Sequence, residues 1–239
     1  MPSRRVGHHG VVTAPPPHGP VTVDVWIRRV TEVPEGRDLL DDHERTTLEG
    51  IVPPSAARSY AAGHVLARRA VASVVGSRAS DLRFDRTCTT CGEPHGRPVL
   101  PEFPMLHLSL SHGETLVAVA VSSALVVGVD AETARATDFP GFPLVALHED
   151  ERAAVEGAPA GRLLRRAIAW VRKEAALKAL GIGLRSDPSN LLTPPSGSAT
   201  DLAGDGHWVT VQDVPLPWPD AAAAVAVSGR AERVDVRYR

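Results

Sequence analysis

"ERTTLEG" at residues 44–50 and "ERAAVEG" at 151–157 are near copies, set 107 positions apart. "AVAVS" occurs at 118–122 and again at 224–228, an offset of 106. Asp24 in "VTVDVWI" and Asp130 in "VVGVDAE" are also 106 apart, and Gly76 and Gly181, which end two helical runs, are 105 apart. In a chain rich in Ala, Val and Arg one such match is weak. A common offset is not, and it points to a repeated unit. The expected organisation is a flexible N-terminal tail over 1–20, one α/β half over 21–124 and a second over 125–239. A site is expected in the cleft between the halves.

Local patterns fill in this scheme. "VTVDVWIRRV" alternates as a strand does. "DLLDDHERTTLEG" reads as a short helix, and residues 55–76 as a longer one opened by Ser55 and closed by Gly76. "LHLSLSH" and "TLVAVAVSS" are strands joined by a short turn. In the second half the strand "ALVVGVDAE" is followed by helices near 148–157 and 161–181. "TPPSGSATDLAGDG" reads as loop, and "HWVTVQDV", "AAAAVAVSG" and "AERVDVRYR" as strands. The fold class is α/β (α+β).

The bulk numbers exclude several roles. The net charge of −2 is not that of a nucleic-acid binder, so an anionic ligand would need a local basic patch. There is no apolar run of membrane-spanning length, and "MPSRRVGHHGVVTAPPPHGP" has no signal-peptide core. A cytoplasmic protein is expected. The two cysteines, Cys88 and Cys91, lie in one CxxC, which is half of a four-cysteine zinc site. His95 is a conceivable third ligand. Reduced thiols in a tight loop are the simpler reading.

The chemistry concentrates in two stretches. In "VVGVDAE", Asp130 and Glu132 are two apart on a strand and project from one face. Such acids repel unless a cation joins them, and magnesium takes hard oxygen ligands while leaving room for phosphate. A polar strand end is the plain alternative. In "WVRKEAALKALGIGL", 170–184, Trp170, Glu174 and Lys178 share a helix face, with Lys173 beside it. An ordinary Glu–Lys surface pair is the alternative. If the helix crosses the end of the Asp130 strand, Glu174 becomes a third carboxylate, and Lys173 and Lys178 face phosphate.

With these residues in view the sequence resembles the 4′-phosphopantetheinyl transferases of the Sfp type. The match runs through "GRP" (96–98), "LSLSH" (108–112), "GVDAE" (128–132), "HEDE" (148–151) and "WVRKEAALKALGIGL", the last being the most specific. The resemblance implies two similar α/β halves in one chain, a pseudo-dimer. It implies transfer of the phosphopantetheine arm of coenzyme A to a serine of an acyl or peptidyl carrier protein, with magnesium, releasing 3′,5′-ADP. Carriers would be those of fatty-acid, polyketide or nonribosomal-peptide synthesis, and the enzyme a monomer. Asp130, Glu132 and Glu174 would hold the metal. Glu174 would also be the base, and Lys178 would neutralise phosphate charge. Arg58, Arg68, Gly96, Arg97, Pro98, Ser111, His112, Lys173 and Lys178 would bind coenzyme A, with Lys173 binding phosphate or supporting the helix. Glu151 matches an acid near the metal in some members.

Three positions depart from the family pattern. Arg97 stands where lysine is frequent, His64 where arginine is frequent, and Ala131 is smaller than the usual residue between the two acids. The alternatives are a magnesium-dependent phosphodiesterase or pyrophosphatase on coenzyme A-like substrates, or a non-catalytic coenzyme A-binding scaffold. A zinc-linked nucleic-acid module rests on the CxxC alone.

Overall fold

A computed structural model describes residues 16, 18–88, 91–94, 96–183 and 186–239. Most of the expected tail, together with His95 and Leu184, lies outside the described residues.

The strands are β1 (Val21–Arg29), β2 (His107–His112), β3 (Leu116–Ser122), β4 (Val127–Thr133), β5 (Ser198–Asp201), β6 (Trp208–Asp213), β7 (Ala221–Ser228) and β8 (Val234–Tyr238). The helices are α1 (Asp42–Gly50), α2 (Pro54–Val75), α3 (Phe142–Ala146), α4 (Glu149–Glu156) and α5 (Arg162–Leu180). They form two four-stranded sheets, ordered β2-β3-β1-β8 and β4-β7-β6-β5. Within each, three strands share one antiparallel plan: β1 pairs β3 and β3 pairs β2, as β4 pairs β7 and β7 pairs β6.

Strand alternation explains the layers. Val21, Val23, Val25 and Ile27 of β1 meet Val127, Val129 and Ala131 of β4, and Ala223, Val225 and Val227 of β7, in a core between the sheets. The opposite faces bury a helix each. Leu66, Ala70 and Val71 of α2 cover Val117, Val119 and Val121 of β3. Ala175, Ala176 and Leu177 of α5 cover Ala222, Ala224 and Ala226 of β7. The order is helix, sheet, sheet, helix, which buries the apolar stripe of each element. α2 and α5 both end on a glycine in the left-handed region, Gly76 and Gly181, where a side chain would be strained.

The structure differs from the sequence reading in three places. β8 pairs in parallel with β1, so the chain's last strand joins the first sheet and a division at 124/125 does not follow the sheets there. β5 forms inside the Gly/Ser-rich loop, held by pairing with β6 rather than by a pattern of its own. α3 is five residues long, too short to show a helical period. Among the described residues no helix is long and apolar enough to cross a membrane.

Candidate active site

β4 delivers the acids. Because Val127, Val129 and Ala131 enter the inter-sheet core, Gly128, Asp130 and Glu132 turn the other way, toward α5. The helix comes very close at Gly128. A Cβ there would collide with the Ala175 carbonyl and stand 2.6 Å from Ala179 N. On α5, Glu174 and Lys178 are one turn apart. Lys178 Nζ donates to Asp130 Oδ1 at 2.7 Å and to Val129 O at 3.0 Å. From the first sheet, Ser111 Oγ donates to the same Asp130 oxygen at 2.6 Å, and Ser109 Oγ accepts from Val129 N at 3.1 Å. β2 and β4 are thereby stitched together, and Asp130 is buried between a hydroxyl and an ammonium.

The other two acids are left less satisfied. Glu174 Oε1 is buried and has no hydrogen-bond partner among the described residues, an arrangement that native structures rarely leave without a use. Burial pushes the Glu174 carboxyl up, Lys178 pulls it down and Asp130 adds to the rise; the net direction is upward. Glu132 is also raised, by burial first and then by the charges of Asp130 and Glu114, against a hydrogen bond from Thr133 N at 2.9 Å and the pull of Lys178. The turn after β2 closes over it: a Cβ on Gly113 would lie 2.7 Å from Glu132 Oε2. Hard oxygen donors with one orphaned, buried atom are the chemistry a magnesium ion prefers. As they stand they are not a ready-made cage. Among the described residues no three acids, histidines or cysteines are grouped to hold a metal, and Lys178 is the cation beside Asp130.

Residues 126–221 match the model of the 4′-phosphopantetheinyl transferase superfamily. Over this segment the chain is similar to that superfamily. The segment contains β4, α3, α4, α5, β5, β6 and the start of β7, so Asp130, Glu132, Glu174 and Lys178 all lie within the matched residues. No curated protein matches the chain.

Several residues that the resemblance placed at a ligand have other work in the structure. Lys173 is wholly buried, and Nζ donates to Ala146 O at 2.7 Å, to Pro188 O at 3.1 Å and to Glu151. Three donors meet three acceptors, and none is left for phosphate. Glu151 also accepts from Thr193 N at 2.8 Å and His148 N at 2.9 Å, so its carboxylate is committed away from the acids. Arg68 is equally buried. It donates to Glu44 Oε2 at 2.8 Å, Leu82 O at 2.9 Å and Asp41 Oδ2 at 2.6 Å. Arg97 Nη2 donates to the last carbonyls of α5, Lys178 O and Ala179 O, where the helix dipole favours a cation. The backbone that approaches Gly96 is the chain's own, with Thr87 O 2.8 Å from where a Cβ would be. Ala131 faces the inter-sheet core.

Two expected ligand residues are exposed in the first half. His112 is exposed at the end of β2, with its imidazole lowered by partial burial and then by the charges of His64 and Lys178. Arg58 is exposed at the start of α2, beside Ser59, whose hydroxyl donates to Gly113 O. Pro98 is half-buried in the segment leading to Leu100. Cys88 is half-buried and Cys91 exposed, and His95 falls outside the described residues.

Sequence reasoning missed a second charge cluster. Glu44, almost fully buried, accepts from Arg68, from Arg86 and from His64 Nδ1, the last at 2.8 Å. Asp41 joins through Arg68 and Arg86. The rings of Tyr60 and His64 are 4.2 Å apart, and those of His64 and His112 are 6.3 Å apart. The signal was present in the repeat itself, since Glu44 opens the first copy and Glu151 the second. A cavity of about 860 Å³ opens beside this cluster, lined by Asp41, Asp42, Arg68, Arg83 and Arg86 among others, rather than at the acids of β4.

Proposed function

We propose that the chain transfers the 4′-phosphopantetheine arm of coenzyme A to a serine hydroxyl of an acyl or peptidyl carrier protein, releasing 3′,5′-ADP. The observation that carries this reading is the buried, unpartnered Glu174 oxygen beside the Asp130–Lys178 pair, inside the segment that matches the superfamily. Two similar halves, with the reaction at their junction, are part of the same reading, supported by the Ser111–Asp130 bond between the sheets.

In the reaction the serine oxygen attacks the phosphorus that carries the pantetheine arm. The bond from that phosphorus to the bridging oxygen breaks, and 3′,5′-ADP leaves with the electron pair. Glu174, its carboxyl raised above the ordinary value by burial, takes the serine proton as general base. Lys178, whose ammonium points to the end of β4, offsets negative charge on the phosphates as the bond breaks. Ser111 keeps Asp130 oriented. His112 and Arg58 are the accessible cations or donors for the nucleotide end. Asp130, Glu132 and Glu174 would hold the magnesium ion, which when bound supplies charge neutralisation for the pyrophosphate.

The test is the mass of an apo carrier protein after incubation with this chain, coenzyme A and magnesium. A gain of one phosphopantetheine, abolished by EDTA, is expected. Free phosphopantetheine without carrier modification would replace this reading by a hydrolase. Binding of coenzyme A with neither product would replace it by a scaffold.

A further inference from the structure

α5 carries both groups the proposed reaction uses most, Glu174 and Lys178, so its position along its own axis sets where they stand. Its buried face is rich in alanine, at 167, 175, 176 and 179, laid against Ala222, Ala224 and Ala226 of β7. Val171 and Leu177 add larger side chains to that face, the Ala175 carbonyl seats at Gly128, and Arg172 pairs with Asp213. A helix rises about 1.5 Å per residue, so a slip of less than one residue carries Glu174 and Lys178 an ångström away from Asp130.

Lys173 adds a constraint that is wholly buried. Its ammonium is 0% exposed and ties α5 to three other segments: Ala146 at the end of α3, Glu151 in the first turn of α4, and Pro188 in the loop beyond α5. These bonds are directional, and a buried charge separated from its partners is strongly disfavoured. The first half contains the same tie. Arg68 lies 105 positions before Lys173, and Glu44 lies 107 before Glu151. Each glutamate is the third residue of its short helix and accepts the N–H of that helix's N-cap, Asp41 N at 2.9 Å and His148 N at 2.9 Å. Yet α2 has Arg69 and Ser73 where α5 has Glu174 and Lys178. The cation-to-glutamate tie is therefore present beside a helix that lacks counterparts of Glu174 and Lys178, which connects it to helix placement and not to a ligand.

We propose that Lys173 is a positioning residue: its buried ammonium sets the axial position of α5, and through it the placing of Glu174 and Lys178 against Asp130. The kinetic arm of the test rests on the transferase reading; the structural arm does not.

The test uses the full chain and a double variant, Lys173→Met with Glu151→Met. Removing both charges leaves no unpaired buried ion between them, a change proteins commonly tolerate. The nitrogen-15 resonance of Lys178 Nζ reports its pairing with Asp130 and is expected to shift in the double variant. Turnover at saturating coenzyme A is expected to fall about 100-fold, as an ångström of misplacement can, with KM for coenzyme A changed by less than about threefold. Lys173→Arg, which retains charge and donors, should recover part of the turnover. An unchanged Lys178 resonance with unchanged turnover would overturn the proposal. So would a raised KM at normal turnover, which would put Lys173 on the ligand. Should the double variant fail to fold, Glu151→Gln is read by the same two measurements with smaller expected changes in the same direction. If the native chain modifies no carrier protein, the transferase reading fails, and the Lys178 resonance alone decides this one.

Discussion

The molecule buries charge beside each of its two long helices, and the two clusters are completed differently. Beside α2, the Glu44 carboxylate has a donor for each oxygen, from Arg68, Arg86 and His64, and Arg68 in turn has an acceptor for each nitrogen. Beside α5, Asp130 is bonded, but Glu174 has an oxygen with nothing to bond. A saturated cluster can do nothing further without breaking itself. An unsaturated one has capacity left for a ligand, a proton or a metal, and the protein forgoes stability to maintain it. The contrast locates chemistry better than charge density does, since the first cluster is the more densely charged.

The largest effect expected from this contrast is on activity at the unsaturated side. Glu174→Gln retains shape but loses both the charge and the basicity, and should lower carrier modification by about 10²–10⁴-fold, the usual contribution of a positioned acid or base. The chain should stay folded, because no protein bond is broken. A mass-spectrometric time course on the apo carrier measures it, and near-normal turnover would mean that the orphaned oxygen has no role in transfer.

The saturated side should give the largest loss of stability. Glu44→Ala leaves Arg68 and Arg86 buried without their shared carboxylate, and breaking such a group typically costs about 3–5 kcal/mol. Urea unfolding at neutral pH checks it. A loss below about 1 kcal/mol would show that Asp41 alone suffices for both arginines.

The clusters should also respond oppositely to pH. Burial raises Glu44, but His64, Arg68 and the Asp41 N–H outweigh it, and the carboxyl falls from 4.5 to about 2. A carboxyl depressed in the folded state binds fewer protons than in the unfolded chain. Its contribution, about 3 kcal/mol by the size of the shift, is present above the ordinary 4.5 and lost as pH falls from there toward 2. Glu132 and Glu174 are raised, so the folded state holds protons that the unfolded chain releases, and their effect is destabilising once pH rises past the ordinary value. In EDTA, Glu174→Gln should therefore be more stable than the native chain at neutral pH and indistinguishable from it near pH 3, while Glu44→Gln should be less stable at neutral pH by a margin that narrows as pH falls from 4.5 toward 2. Denaturant midpoints across pH 3 to 8 would separate the two signs.

What the sequence reveals and conceals follows the same division. The long helices, the strand alternation and the offset between halves are legible because each is a periodic property of the chain itself. Asp130 and Glu132 on one strand face, with Glu174 and Lys178 a turn apart on a helix, need only one further fact, that the helix crosses the strand. Gly128 gives that crossing its closeness, and its reason is invisible until the Ala175 carbonyl is seen against it. Arg68, Arg97 and Lys173 are harder. A sequence shows a cation on a helix or loop, but its partners are carbonyls and carboxylates brought in from elsewhere: Leu82, Lys178, Ala146 and Pro188. Whether such a cation faces a phosphate or a helix end depends on tertiary placement, which motif spacing does not encode. The sheet that β8 joins is missed for a related reason. The residues of β8 read correctly as a strand, and only the choice of sheet lies outside local pattern.

The smallest expected effect distinguishes two glycines beside the same acids. At Gly128 an added methyl meets backbone, the Ala175 carbonyl and Ala179 N. Neither can move without shifting α5, so Gly128→Ala should destabilise the chain by about 1–3 kcal/mol, as overpacking does. At Gly113 the nearest atoms belong to the free end of a flexible side chain, the Glu132 carboxylate at 2.7 Å and 3.1 Å. There the carboxylate can swing aside, so Gly113→Ala should change stability by less than about 0.5 kcal/mol, the range of ordinary surface substitutions. What it should change is Glu132's position. With Asp130 and Glu174 untouched, the magnesium concentration for half-maximal transfer should rise by about tenfold, as losing an interaction of roughly 1.4 kcal/mol would require, while turnover at saturating magnesium stays near native. A magnesium titration of the variant reads this directly. An unchanged midpoint would remove Glu132 from the metal set and leave Asp130 and Glu174 as its carboxylates, narrowing the unsaturated cluster to the two acids that Lys178 already bridges electrostatically.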